Sequence, residues 1–236
     1  MVRHPKNDGD RLDKIRPRDG RRFLGQNLLV IKQARTGTRK QQKQQGGRVS
    51  EGFAGLVRRR FSVRKYQERP VEKAKIEACL EAARLAPSAC NSQPWKFIVV
   101  EDPVVKKELC DNIFSGAYSM NAFAGKAPVI VAVVSESSSF AAAVGALLRD
   151  TRYYLIDIGI AAEHFALQAA ELGLGTCWIG WFDEKSAKRV LKVPSSKRID
   201  VVLALGYPDR EPPDTKRRMP LGKMSSYNSY KSGDGE

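Results

Sequence analysis

The sequence predicts a layered domain of mixed helices and strands, α+β or α/β, and three observations point there. Helical periodicity and short apolar runs alternate between residues 70 and 206, two of those runs are apolar almost throughout, and one long segment is apolar on more than one side. After Pro70, which suits a first helical position, "VEKAKIEACLEAARLA" repeats apolar groups at Ile76, Cys79 or Leu80, Ala83 and Ala86, a helical stripe that stops at Pro87. "WKFIVVE" (95 to 101) is short, aromatic and β-branched, the composition of a strand. Asp102 and Pro103 then supply an N-cap and first-turn pair for "VVKKELCDNIF", with Val105, Leu109 and Ile113 on one face.

"PVIVAVV" (128 to 134) is apolar at every position, as expected of a strand covered on both faces. The longest helix is expected over 151 to 172, "TRYYLIDIGIAAEHFALQAAEL", ending at Gly173, whose missing side chain permits a left-handed stop. Being apolar on several sides, it reads as an interior or interface helix. Asp183 is expected to cap a short helix through Leu191, and "DVVLALG" (200 to 206) is another buried strand. From Tyr207 the chain turns polar and proline-rich, without periodicity.

Charge divides the chain unevenly. The net charge is +15 over 236 residues, yet residues 1 to 50 hold 14 Lys and Arg against 4 Asp, which leaves 27 against 22, or +5, for the body. Residues 1 to 52 read as a basic, disordered extension, because a Gln, Lys and Gly run offers no face to bury. No cleavage site follows its apolar patch "FLGQNLLVI", which argues against a targeting peptide. It could be a nucleic-acid arm, although no aromatic residues are spaced through it to stack on bases, or a non-native tail with translation starting near Val49. Residues 53 to 236 are long enough for one domain with its own core. The longest apolar runs, "APVIVAVV" and "FAAAVGALL", are under half of the ~20 residues a membrane span needs. The four cysteines form no CxxC pair and the chain has two histidines, so neither a metal site nor a disulfide framework is expected, and a cytoplasmic location is.

Four stretches carry chemistry. In "RFSVRKY" (60 to 66), Arg60, Ser62 and Arg64 alternate, so an extended segment would project all three from one face, two cations and a hydroxyl toward a dianionic phosphate. A solvated basic stretch is the other reading of the same residues. "KRRMP" (216 to 220) repeats the theme with Lys216 and Arg218, and two clusters closing on one anion would explain why charge gathers in these two places. "PSACNSQPW" offers Ser88, its local backbone and the amides of Asn91 and Gln93, which can donate and accept around a polar heterocycle. Trp95 reads as core. "GLGTCWIGWFD" lacks the GxGxxG spacing of a dinucleotide fingerprint. Cys177 reads as a small packed residue, and His164 as structural or interfacial.

In order and spacing, these four stretches resemble the FMN-binding segments of the nitroreductase family, over about residues 53 to 230. The resemblance implies an α+β fold with a mixed central sheet flanked by helices, and an intertwined homodimer with two FMN sites at its interface. The tail from about residue 207 would be the dimer arm. It implies that Arg60, Ser62 and Arg64 bind the FMN phosphate and ribityl chain and that Lys216 and Arg218 reach the same phosphate. Pro87, Ser88, Ala89 and Asn91 would come from the partner subunit, with Asn91 meeting the ring and Gln93 adding its amide. Trp178, Ile179 and Gly180 would border the flavin, the last two through backbone N–H groups near N5. Arg58, Arg59 and Lys65 match no ligand position and are expected to be solvated.

Trp181 stands where many relatives have a second glycine. It could stack on an aromatic substrate, narrow the substrate space, or belong to the core with Trp178. The implied reaction is a ping-pong cycle in which NAD(P)H delivers hydride to FMN N5 and is replaced by a nitroaromatic, quinone or similar electron-poor acceptor, with no side-chain acid or base. Two relatives of the same superfamily are alternatives: a reductive dehalogenase similar to iodotyrosine deiodinase, and an enzyme that fragments flavin to dimethylbenzimidazole. Both carry longer lids than 114 to 127 and 135 to 150 would provide. An alternative of another class is a nucleic-acid-binding protein using the basic tail, with the flavin domain as redox sensor. Neither nucleic acid nor a membrane is the expected partner.

Overall fold

The computed structural model describes residues 52–136, 151–213 and 216–230. They belong to one unit, residues 50–236. The basic extension up to residue 51 and the stretch 137–150 lie outside the described residues. The elements are α1 (Gly52–Arg59), α2 (Lys73–Arg84), β1 (Trp95–Val100), α3 (Pro103–Ile113), β2 (Val129–Ser135), α4 (Tyr153–Glu171), β3 (Gly175–Ile179), α5 (Glu184–Val190), β4 (Arg198–Gly206) and α6 (Leu221–Met224). Short 3-10 segments cover Ala89–Asn91 and Gly116–Lys126.

The four strands form one sheet in the order β1-β2-β4-β3, and every pairing of neighbours is antiparallel. Its parallel component is a single bridge, Ser62 to Thr176, at the β3 edge. The fold is α+β in three layers. On β2, Val129, Val131 and Val133 face a core shared with Ile76, Cys79 and Ala83 of α2 and with Ile158, Ala161 and Phe165 of α4. Ile130, Ala132 and Val134 face the other core, with Leu109 and Ile113 of α3 and Ala187 of α5. Every residue of β2 is buried, so the uninterrupted apolar run is explained by two covered faces within an antiparallel sheet.

Local signals account for most boundaries. The Asp102 carboxylate accepts from the N–H groups of Val104 and Val105 and starts α3, as Asp183 does for α5 through Ser186. Gly173, with φ of 76°, lets the chain leave α4 left-handed. Pro70, by contrast, lies outside its helix. Val71 is buried and Glu72 is extended (φ −64°, ψ 132°), with its carboxylate accepting from the Tyr207 hydroxyl, so helical geometry begins only at Lys73. Three elements carry no sequence expectation: α1, strand β3 and the short α6.

A register shift between Val133 and Val134 opposes two residues of β2 to three of β4, with Asp200 the extra one. That bulge explains how Ile199 faces one core and Val201 the other.

Candidate active site

The strip from Arg60 to Tyr66 lies along the open edge of β3. The Val63 N–H donates to the Thr176 carbonyl at 2.9 Å, and Ser62 bridges Thr176 in parallel. Gly175 allows this approach, since a Cβ there would stand 2.2 Å from Val63 Cγ2. Val63 is buried, and the buried Tyr66 hydroxyl donates back to the Val63 carbonyl at 2.8 Å. Burial drives that phenol's pKa far above its usual range.

The expected single face of Arg60, Ser62 and Arg64 is not what the strip presents. Arg60 still closes the last turn of α1, its N–H donating to the Leu56 carbonyl, so the extended run begins after it. Its guanidinium pairs with Glu163 of α4 at 3.4 Å. Arg64 leans the other way, with its guanidinium carbon 5.9 Å from the centroid of the Phe123 ring. The two cations therefore flank the sheet edge, with Ser62 between them in sequence. Arg59 is not simply solvated either, since it donates to Glu171 at 2.7 Å.

The far end of the chain closes on this strip. The Lys216 ammonium donates to the Val57 carbonyl at 3.0 Å and to the Arg60 carbonyl. Its pKa is lowered by burial, then by the positive charges of Arg60 and Arg218, with Glu163 opposing. Burial raises the Glu163 carboxyl, against the pull of Arg60, Lys216 and His164. Arg60 and Lys216 thus gather around one carboxylate with Arg218 close enough to act on Lys216, and like charges crowded this way are stabilised by a further anion. The chemistry fits a phosphate: guanidinium forks, an ammonium with a donor to spare and a serine hydroxyl.

The loop from Pro87 to Gln93 is held differently. Ala89 donates its N–H to the buried carboxylate of Asp157 on α4 at 3.0 Å. The Ser88 hydroxyl accepts from Gln93 N at 2.9 Å, and the Gln93 amide reaches the carbonyl and side-chain oxygen of Asn91, both at 3.2 Å. Cys90, Asn91 and Gln93 have φ of 52°, 52° and 46°, a costly run for residues that carry a Cβ. Asp157 and Glu163 are separated by about 9 Å along the helix and about 120° around it. The loop and the cation cluster therefore address different sides of α4.

At the end of β3, Trp178 is half-buried on the α2 and α4 side while Ile179 is buried on the other. Gly180 is exposed and faces open space where a side chain would project. Trp181 is 57% exposed, which removes it from the core. Its indole N–H donates to the Ala117 carbonyl at 3.2 Å, its carbonyl accepts from Asn121 at 2.8 Å, and Tyr118 lies 5.2 Å away, ring to ring. His164 sets Nδ1 against the Ala82 carbonyl at 3.2 Å, a role in joining α4 to α2. Cys177 is buried, and burial raises its thiol pKa.

Glu163, Asp157, Tyr118, Asn121 and Phe123 were not anticipated at the site. Asp157 and Glu163 leave a trace in the sequence as isolated carboxylates in an apolar helix; the other three leave none. Among the described residues, no helix is long and apolar enough to cross a membrane, and no three potential ligands gather around a metal position.

A sheet edge carrying cations from both ends of a domain, beside a strand that ends on an open glycine, is the class of site that can take a phosphorylated planar ligand. The chain belongs to the nitroreductase family, whose pattern it matches over residues 57–207, and it is an oxidoreductase of that family. A putative NADH dehydrogenase/NAD(P)H nitroreductase of Archaeoglobus fulgidus is 31% identical over 160 residues, 66% of this chain and 85% of that protein. The solved structure of an FMN-dependent nitroreductase from Clostridium difficile R20291 superposes with a TM-score of 0.62 at 30% identity, covering 75% of this chain and 99% of that one. Relatives with other activities include a 5,6-dimethylbenzimidazole synthase of Rhodospirillum rubrum (28% identical; 69% of this chain, 85% of that protein) and an iodotyrosine deiodinase of Thermotoga neapolitana (25%; 74% and 97%).

Proposed function

We propose that this protein is an FMN-dependent oxidoreductase that takes reducing equivalents from NAD(P)H and passes them to a quinone, nitroaromatic or similar electron-poor acceptor, the two substrates using one site in turn. The carrying observation is the closure of Lys216 onto Arg60, which draws cations from residues 156 positions apart into one cluster. Arg60, Lys216 and Arg218 would neutralise the phosphate dianion while Ser62 donates a hydroxyl and Arg64 flanks the ribityl chain. Bound flavin supplies hydride acceptance and release at ring N5, chemistry that no side chain here offers.

The chain's own part is to bind and orient. Backbone N–H groups at Ile179 and Gly180 would face the reactive edge of the ring, and the bare Cα of Gly180 leaves room for a substrate to approach. Trp178 would border the ring from the half-buried side. The left-handed loop would present Asn91 and Gln93, with Pro87, Ser88 and Ala89 shaping their approach.

That loop addresses a different side of α4 from the cation cluster, which supports a site completed across a homodimer. Exposed Phe53, Ile156, Met219, Leu221 and Met224 supply apolar surface for the second copy; sedimentation at the mass of one chain with FMN bound would contradict this. Three of the four cysteines are buried and all four are free, which suits the reducing cytoplasm.

The test is steady-state turnover of FMN-saturated protein with NADH or NADPH and a panel of quinones. Oxidation of at least one nicotinamide, inhibited competitively by analogues of the acceptor, is expected. Failure with both nicotinamides and every quinone would refute the reading.

A further inference from the structure

Trp181 combines two properties that rarely occur together: a large apolar ring left open to solvent, and a position fixed from three directions. The ring is 57% exposed, yet its N–H is anchored on the Ala117 carbonyl, its backbone carbonyl on Asn121 and its face against Tyr118 at 5.2 Å with the planes tilted by 49°. All three partners come from Gly116–Lys126, a segment that α3 feeds through the positive φ of Gly116. The same segment carries Phe123, which takes the Arg64 guanidinium. One short stretch therefore borders both the cation strip and the tryptophan.

Position adds to this. Trp181 directly follows Gly180, where nothing fills the space a side chain would occupy. From Thr176, the bridge partner of Ser62, the strand runs about 13 Å to Gly180. The tryptophan thus stands at the opposite end of β3 from the cation cluster, beside the opening through which a second substrate would approach. Indole and phenol rings present electron-rich faces, and their best flat partner is an electron-poor ring in offset contact.

We propose that Trp181, with Tyr118 as its positioning residue, is the face on which the electron acceptor stacks, and that it selects flat electron-poor rings, such as quinones and nitroarenes, over aliphatic acceptors of equal size. This rests on the flavin reading above. Pre-organisation is what gives the platform its selectivity, because a ring already held by Ala117 and Tyr118, on a backbone anchored by Asn121, loses little freedom when a ligand stacks on it.

The experiment is isothermal titration of FMN-saturated protein with nitrobenzene and with nitrocyclohexane, which share a nitro group and a six-carbon ring but differ in the π face. No nicotinamide is added, so nothing turns over, and bound FMN is read by visible absorbance on the same sample. Wild type is expected to bind nitrobenzene roughly 2- to 12-fold tighter than nitrocyclohexane. Trp181→Ala should bind the two alike, Trp181→Phe should keep most of the preference, and Tyr118→Ala should lose part of it while Tyr118→Phe does not. FMN held normally with equal affinities in wild type, or a preference that survives Trp181→Ala, overturns the platform alone. A wild-type protein that holds no FMN overturns the flavin reading and this proposal with it.

Discussion

Replacing Lys216 with Met isolates what the C-terminal segment contributes to anion binding. An ammonium has three N–H donors, and two are engaged by the carbonyls of Val57 and Arg60, so one is left for a phosphate oxygen. A hydrogen bond to a charged group is worth about 1.5–3 kcal/mol, and losing one weakens FMN binding roughly 10- to 150-fold. Riboflavin has the same ring and no phosphate, so its affinity should change little. The pair of ligands separates a lost phosphate contact from a loosened C-terminal segment, which would harm both. Fluorescence quenching of each flavin on titration with protein gives both constants.

The sign of the pH dependence follows from the lowered pKa of Lys216. A bound dianion favours the protonated ammonium, so the preference for FMN over riboflavin should fall as pH rises through that lowered pKa. Lys216→Met should abolish this dependence. Equal losses for the two flavins, or no loss for either, would refute the assignment of Lys216 to the phosphate.

Two further predictions concern the scaffold. Gly175→Ala places a Cβ against Val63, and overpacking of this kind costs about 1–3 kcal/mol. Thermal unfolding should show that loss, FMN affinity should fall as the strip leaves β3, and adding Val63→Ala should restore part of both. At the β4 bulge, burial raises the Asp200 carboxyl and one of its oxygens has no hydrogen-bond partner among the described residues. Because the folded-state pKa is raised, the stability linked to this group is present at low pH and lost as pH rises through that value. Asp200→Asn should therefore be more stable than wild type by about 1–3 kcal/mol at pH 8, with the gap closing toward pH 4; urea denaturation at both pH values would show it, and an equal gap at both would contradict it.

Elements whose signal is local were legible in the sequence. Asp102 and Asp183 cap helices through their nearest N–H groups, Gly173 ends α4 by its own φ, and the run in β2 is buried on both faces. What escaped depends on distant partners. Strand β3 has no alternation of its own and exists because β4 pairs with it and Gly175 admits Val63. Pro70 resembles a helix start, but Glu72 is held extended with Tyr207, 135 residues away, bonded to its carboxylate.

The same division runs through the site. Arg60, Ser62 and Lys216 could be named from charge and spacing, whereas the divergence of Arg60 and Arg64 arises from Glu163 and Phe123, which lie in other layers. The hold on Trp181 spans 60 and 64 residues of sequence. No window of local pattern contains it.

Arg60, Ser62, Arg64, Lys216 and Arg218 are proposed to hold a flavin phosphate so that the ring works at the end of β3. The most direct measurement is the visible absorption spectrum of the purified protein, taken anaerobically before and after NADH or NADPH and again after a quinone. Oxidised-flavin bands that bleach with a nicotinamide and return with the quinone are predicted. A protein that stays colourless and unreactive after FMN is added would contradict flavin binding at this cluster, and the fold would then be shared with the family without its chemistry.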